Sequence, residues 1–218
     1  MGWGRTATYS HVKRLTAAGW LATCQRTRGQ GSLVYATRAG VRESGVQAAV
    51  LDRDPASFTW PHCDASAWTA AWLTARRRGM IGPREMLLRP EWHGQLHWRE
   101  RGETRRRGHR PDLAVQLSEG AVLPIEVELT EKSPARLKAV FALHVEWLMS
   151  GPSAGVIYVC ASQHLAERVQ TAAENAGLSV ERHTLRVELL QTIKRQALEA
   201  RGGAAAQNWG TIPTEVAA

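Results

Sequence analysis

Apolar side chains recur at helical spacing over residues 6–18, where Val12, Leu15 and Ala18 share one side and Gly19 supplies a stop. Two short extended runs, 22–27 and 32–37, follow about Arg28-Gly29-Gln30-Gly31, which predicts a β-hairpin with a basic, glycine-rich tip. A helix followed by a basic hairpin is the closing part of a winged helix, with the helix in the major groove and the wing on the backbone. Residues 40–48 read as a short closing helix. The Asp and Pro content of 51–61 marks a linker. Residues 64–78 predict a helix capped by Asp64, with Trp68, Ala71, Trp72 and Ala75 as its apolar face.

Period-two alternation is clearest over 111–129. LAVQL (113–117) and VLPIEVEL (122–129) flank Ser118-Glu119-Gly120 and predict an antiparallel hairpin. Leu113, Val115, Leu117, Leu123, Ile125, Val127 and Leu129 fall on one face, and Asp112, Gln116, Glu126 and Glu128 on the other. Residues 133–149 predict a helix capped by Ser133, with Pro134 in its first turn and Gly151-Pro152 beyond its end. The unbroken apolar run 155–161 is the mark of a strand covered on both faces. An amphipathic helix over 162–177 and a strand over 178–189 complete an α/β fold. The predicted organisation is a partial winged-helix segment (1–48), a linker (49–61), an α/β domain (62–201) and a disordered tail (202–218).

The chain has 218 residues, 44% hydrophobic and 22% charged, an ordinary composition for a chain that buries a core. No apolar run reaches the roughly 18 residues that cross a bilayer, and the N-terminus has no secretory h-region. Three scattered cysteines suit a reducing cytoplasm. The net charge of +8 changes the picture more. The excess comes from two blocks, residues 1–48 at +6 and 76–110 at +7, whereas the remainder is mildly acidic. Two Arg-rich blocks call for an anionic partner, and nucleic acid is the default. Lys13, Arg14, Arg26 and Arg28 in the first block, with Arg105, Arg106, Arg107, His109 and Arg110 in the second, are the expected backbone contacts.

Three carboxylates on one sheet face repel one another, so a positive group must compensate. A divalent metal would suit hard oxygen donors; salt bridges from Arg110, Lys132 or Arg136 would make the cluster structural instead. His93 and His97, four apart in HGQLH, would share one side of a helix, yet Gly94 weakens that helix and no third ligand stands near.

The order His109-Arg110-Pro111-Asp112, a hairpin, then Glu126-Val127-Glu128-Leu129-Thr130-Glu131-Lys132-Ser133 resembles the PD-(D/E)xK nuclease superfamily. It more closely resembles the replication-relaxation family of plasmids and integrative elements, in which a winged helix joins a restriction-endonuclease-like domain. The wing (Val34-Tyr35-Ala36-Thr37-Arg38-Ala39-Gly40), His62 and Arg84-Glu85 extend the likeness. It implies a restriction-endonuclease-like mixed sheet flanked by helices. It further implies Asp112 and Glu126 as ligands of Mg²⁺ or Mn²⁺, with Glu85 as an additional acidic group. The superfamily's lysine position holds Glu128, so Lys132 would have to reach back to supply the catalytic charge. DNA, other plasmid replication or transfer proteins and a second copy of the chain are the implied partners, with no membrane. Two functions follow: a metal-dependent DNA-nicking enzyme, or a non-catalytic DNA-binding factor with a degenerate nuclease fold.

Overall fold

A computed structural model describes residues 5–24, 32–48, 59–76, 78–117, 120–151 and 153–200. The chain is mixed α/β. It opens with α1 (Arg5–Ala17), β1 (Leu21–Cys24), β2 (Leu33–Ala36) and α2 (Arg38–Ser44). β1 and β2 pair antiparallel from Leu21–Ala36 to Cys24–Leu33, as the alternation predicts. Thr37 ties this unit together. Its hydroxyl donates to Gly19 O at 2.6 Å and accepts from Gly40 N–H at 3.1 Å, which caps α2. Lys13 and Arg14 are exposed on α1. The hairpin tip with Arg26 and Arg28, most of the linker, and the tail 202–218 lie outside the described residues.

The predicted helix over 64–78 starts four residues earlier, as α3 (Trp60–Ala75). The physical reason is Pro61, which reads as a linker residue but suits the first turn of a helix because its missing N–H has no partner there anyway. Asp64 is therefore inside the helix rather than its cap, and it meets Lys194 at 3.1 Å. After β3 (Gly79–Ile81), α4 (Pro83–Met86) and a single 3₁₀ turn (Pro90–Trp92), the chain forms β4 (Gly94–Glu100) and β5 (Glu103–His109). These two strands make a separate antiparallel ribbon joined by Arg101 and Gly102, both at positive φ (51° and 83°). Two such residues form the tight turn whose twist matches that of the strands. HGQLH is thus not helical, and His93 and His97 do not share a helix face. His97 is exposed on β4, and His93 bonds Met86 O at 3.1 Å.

The main sheet has five strands in the order β3-β6-β7-β8-β9, with β6 (Leu113–Gln116), β7 (Val122–Glu128), β8 (Val156–Cys160) and β9 (Leu185–Leu189). β3, β6 and β7 are antiparallel neighbours; β7, β8 and β9 are parallel. Parallel neighbours need a crossover. α5 (Pro134–Ser150), capped by Ser133, supplies it between β7 and β8, and α6 (Gln163–Glu174) between β8 and β9. The strand predicted over 178–189 is confined to its last five residues, and α7 (Leu190–Glu199) follows.

The apolar face of the 111–129 hairpin packs as predicted. Leu113, Val115, Leu123, Ile125 and Val127 join Trp72 and Leu73 of α3 and Ile193 of α7 in one core. The opposite face is not open to solvent: α5 and the base of the ribbon cover it, so Glu126 and Glu128 are buried at 4% exposure each. Among the described residues, no helix is long and apolar enough to cross a membrane.

Candidate functional site

Glu126 sits in the middle of β7 on the face that α5 covers. Two imidazoles reach its Oε1. His109 Nε2, from the last residue of β5, lies 2.8 Å away, and His144 Nε2, from α5, lies 3.3 Å away. Gly94 makes this convergence possible. It is the register partner of His109, and a Cβ there would fall 2.3 Å from Leu143 Cδ2. Only a residue without a side chain lets the ribbon approach α5 at the turn that carries His144. His109 then stacks on Trp147 with ring centroids 6.2 Å apart, while Trp147, Phe141 and Tyr158 ring His144.

Asp112 stands just before β6, where its backbone N–H donates to Ile125 O at 3.0 Å. Both of its carboxylate oxygens are engaged. Oδ1 meets His62 Nε2 of α3 at 2.8 Å, and Oδ2 accepts from Val127 N–H at 2.7 Å. Glu128, two residues beyond Glu126, pairs with Lys132. The three carboxylates of the hairpin therefore have three separate partners, His62, His109 and Lys132. Compensation by local side chains is the outcome, and among the described residues Arg110 and Arg136 form no ion pair with the three carboxylates, although the Arg136 charge favours ionised Glu128. Both arginines line the cavity, and the Arg136 guanidinium sits over Trp98.

Asp112 and Glu126 open into a cavity of about 810 Å³. Its walls include His62, Arg107, His109, Asp112, Glu126 and Lys132. Lys132 stands in the cavity wall, but its ammonium is held by Glu128 rather than reaching back to Asp112 or Glu126. Glu85 is elsewhere: its Oε2 accepts from Gly82 N–H at 2.6 Å and caps α4. Arg105, Arg106 and Arg107 are exposed along β5, with Arg105 paired to Glu103. Opposed residues of an antiparallel pair share a face. Arg105 and Arg107 therefore lie with Trp98 and Leu96, and Arg106 with His97.

Burial and charge set the protonation of the cluster. The hydrogen bond to Asp112 raises the His62 pKa above the usual imidazole value, against the effect of burial. Burial works to lower that of His109, but the charge and hydrogen bond of Glu126 prevail and raise it. Burial also opposes ionisation of Glu126; the two histidines overcome it and hold the carboxyl well below its normal range. His144 is lowered, chiefly by burial, against the pull of Glu126. Burial raises Glu128 despite Lys132.

One atom each from His109, Glu126 and His144 lies within 4.8 Å of the others, so these three residues can hold a metal ion. The sequence pattern points to His109 only as a phosphate contact and gives His144 no role. A signal for His144 exists: it falls on the apolar side of α5, in step with Leu137, Phe141 and Trp147, where a polar residue is out of place. No family model, curated protein or solved structure matches the chain.

Proposed function

We propose that the chain is a nucleic-acid-binding protein that grips the sugar–phosphate backbone of DNA with the β4–β5 ribbon and draws it toward the cavity. The observation that carries this reading is the ribbon itself. It is roughly 20 Å long, holds five exposed arginines (Arg99, Arg101, Arg105, Arg106 and Arg107), and ends at its base in the cavity through His109. A two-stranded ribbon fits the major groove of duplex DNA, and arginines along it would neutralise phosphates. The antiparallel hairpin with Asp112 and Glu126, followed by a crossover helix and a buried parallel strand, supports a restriction-endonuclease-like fold. The likeness to the replication-relaxation family, with a role in plasmid replication or transfer, belongs to the same reading.

Phosphodiester cleavage is a second reading, favoured by Asp112, Glu126, His62 and His109 sharing one cavity. An imidazolium at His62 or His109 could donate a proton to a leaving oxygen. The pairing of Lys132 with Glu128 weighs against it, because that ammonium is not free to orient a water. The Mg²⁺ or Mn²⁺ that the resemblance implies on Asp112 and Glu126 suits these donors poorly. Mg²⁺ takes an octahedral set of oxygens, whereas both Asp112 oxygens are engaged and Glu126 is flanked by imidazoles.

Fluorescence anisotropy of a labelled duplex across a salt series tests the first reading. Wild-type affinity should fall steeply with salt. Replacing Arg105, Arg106 and Arg107 by Ala should lower the log–log slope by up to about 2.7, roughly 0.9 for each phosphate that is no longer neutralised. An unchanged slope and affinity would remove the ribbon from the interface. Plasmid nicking by wild type but not by Asp112→Ala, under each divalent ion, decides the second reading.

A further inference from the structure

The poor match to an all-oxygen ion has a counterpart in what the cluster lacks. His144 is 2% exposed, and neither ring nitrogen has a hydrogen-bond partner among the described residues. Its Nε2 comes only to within 3.3 Å of Glu126 Oε1. The Tyr158 hydroxyl, on the strand next to Glu126 and in register with it, is also buried without a partner among the described residues. An orphaned buried polar atom is costly, so native structures rarely keep several together. A histidine–carboxylate salt bridge between His109 and Glu126 accounts for two members of the cluster. It leaves His144 and Tyr158 unexplained.

We propose that His109, Glu126 and His144 form a site for a first-row divalent ion that prefers imidazole, such as Zn²⁺, with a remaining position open toward the cavity. Imidazole donors suit Zn²⁺, whereas Mg²⁺ and Ca²⁺ take oxygen. Two histidines and one carboxylate complete three positions of a tetrahedron and leave the fourth for water or a substrate oxygen. Bonds of about 2.0–2.1 Å set tetrahedral ligand atoms about 3.4 Å apart, close to the 3.3 Å between His144 Nε2 and Glu126 Oε1. His109 Nε2, 2.8 Å from the same oxygen, has to withdraw by about half an ångström to match that spacing. Glu126 and His109 line the cavity, and His144 does not. The ion is therefore held from beneath by His144, and its free position faces the space assigned to the nucleic-acid backbone. The inference rests on the nucleic-acid reading only for the use made of the ion, not for its binding.

Titration of the full chain with Zn²⁺ alone, followed by calorimetry, and with Co²⁺, followed by its visible absorption, tests the site without an activity assay. One equivalent of Zn²⁺ should bind, and Co²⁺ should show the intense bands of a four-coordinate centre. His109→Gln and His144→Gln should each weaken Zn²⁺ by roughly a hundredfold or more, since even partners that only orient a ligand contribute 10–100-fold. His109→Gln lies at the cavity wall, and an unchanged far-UV circular dichroism spectrum certifies its fold. Absence of Zn²⁺ binding, Mg²⁺ bound more tightly than Zn²⁺, or Zn²⁺ affinity unchanged in both variants would overturn the proposal. DNA binding by a chain that takes no Zn²⁺ overturns the ion alone. Zn²⁺ binding by a chain that ignores DNA supports the ion and overturns the nucleic-acid reading.

Discussion

Placing a methyl group on Gly94 tests how the site is assembled. In Gly94→Ala the new Cβ would lie 2.3, 2.8 and 3.0 Å from Leu143 Cδ2, Cδ1 and Cγ. Three heavy-atom overlaps cannot be absorbed in place, because Leu143 is itself buried at 7% exposure among Leu96, Val140 and Trp147. Overpacking of this kind costs about 1–3 kcal/mol. For a chain of 218 residues each kcal/mol lowers Tm by about 2–4 °C. The ribbon should yield sooner than the sheet, since β4 and β5 pair only with each other and β7 is held on both sides. His109, opposite Gly94, would then move away from Glu126, so affinity for Zn²⁺ should fall together with Tm. Thermal unfolding of Gly94→Ala, Leu143→Ala and the double variant measures the effect. Leu143→Ala alone should cost about 2–5 kcal/mol through its cavity. The double variant should be more stable than the sum of the two losses predicts, by about 0.5–3 kcal/mol, because the added methyl enters the space that the leucine vacates. Strict additivity, or a Gly94→Ala protein as stable as wild type, would refute the close approach as the device that assembles the site.

Two further outcomes follow from the geometry. His62 has a raised pKa, so its pairing with Asp112 stabilises fully below the unfolded imidazole value near 6.5 and fades as pH rises through the folded value. The stability lost in His62→Gln should therefore be larger at about pH 5.5 than at about pH 8.5 in denaturant titrations. It should stay under about 1 kcal/mol, because the imidazole is 42% exposed; an equal or larger loss on the alkaline side would contradict the assignment. Gly40→Ala would place a Cβ 2.0 Å from Trp20 O, a backbone atom that cannot turn aside. Undocking of α2 from the β1–β2 hairpin is expected, seen as lost amide-exchange protection at Thr37, whose N–H bonds Trp20 O at 3.0 Å.

How much is legible in the sequence depends on how many faces of an element are buried. The 111–129 hairpin has one face on the α3–α7 core, so its alternation fixes register and facing together. β8 is buried throughout and reads as an unbroken apolar run. The β4–β5 ribbon escapes such a reading because β5, Glu103–His109, has no apolar side chain at all, and exposed strands leave no pattern to read. Leu96 and Trp98 do alternate with Gln95, His97 and Arg99 on β4, but the spacing of His93 and His97 suggests a helix. α7 escapes for a related reason: it continues from β9 with no turn residue between them. Asp112 and Glu126 are legible as a pair. The proposed three-residue ion site is not, because it joins positions 109, 126 and 144 from three elements, and no local spacing encodes that meeting.

Charge balance alone does not argue for an ion. Asp112, Glu126 and Glu128 each already face a cationic or proton-donating partner, so the repulsion that would call for a metal is met by His62, His109 and Lys132. Each partner also limits what its carboxylate can do. Glu128 and Lys132 are i and i+4 just ahead of α5, and their pairing engages the ammonium that could serve an attacking water in the cavity. Asp112 is tied through both oxygens to α3 and to β7. Glu126 differs, because its neighbour His144 meets it only at 3.3 Å and has no geometric hydrogen bond at either ring nitrogen among the described residues. A buried core position on α5 filled by an imidazole without a hydrogen bond is costly when Leu or Phe would pack there without that penalty. Histidine at that position therefore favours the proposed ion, and it makes Glu126 rather than Asp112 the centre of the proposed site.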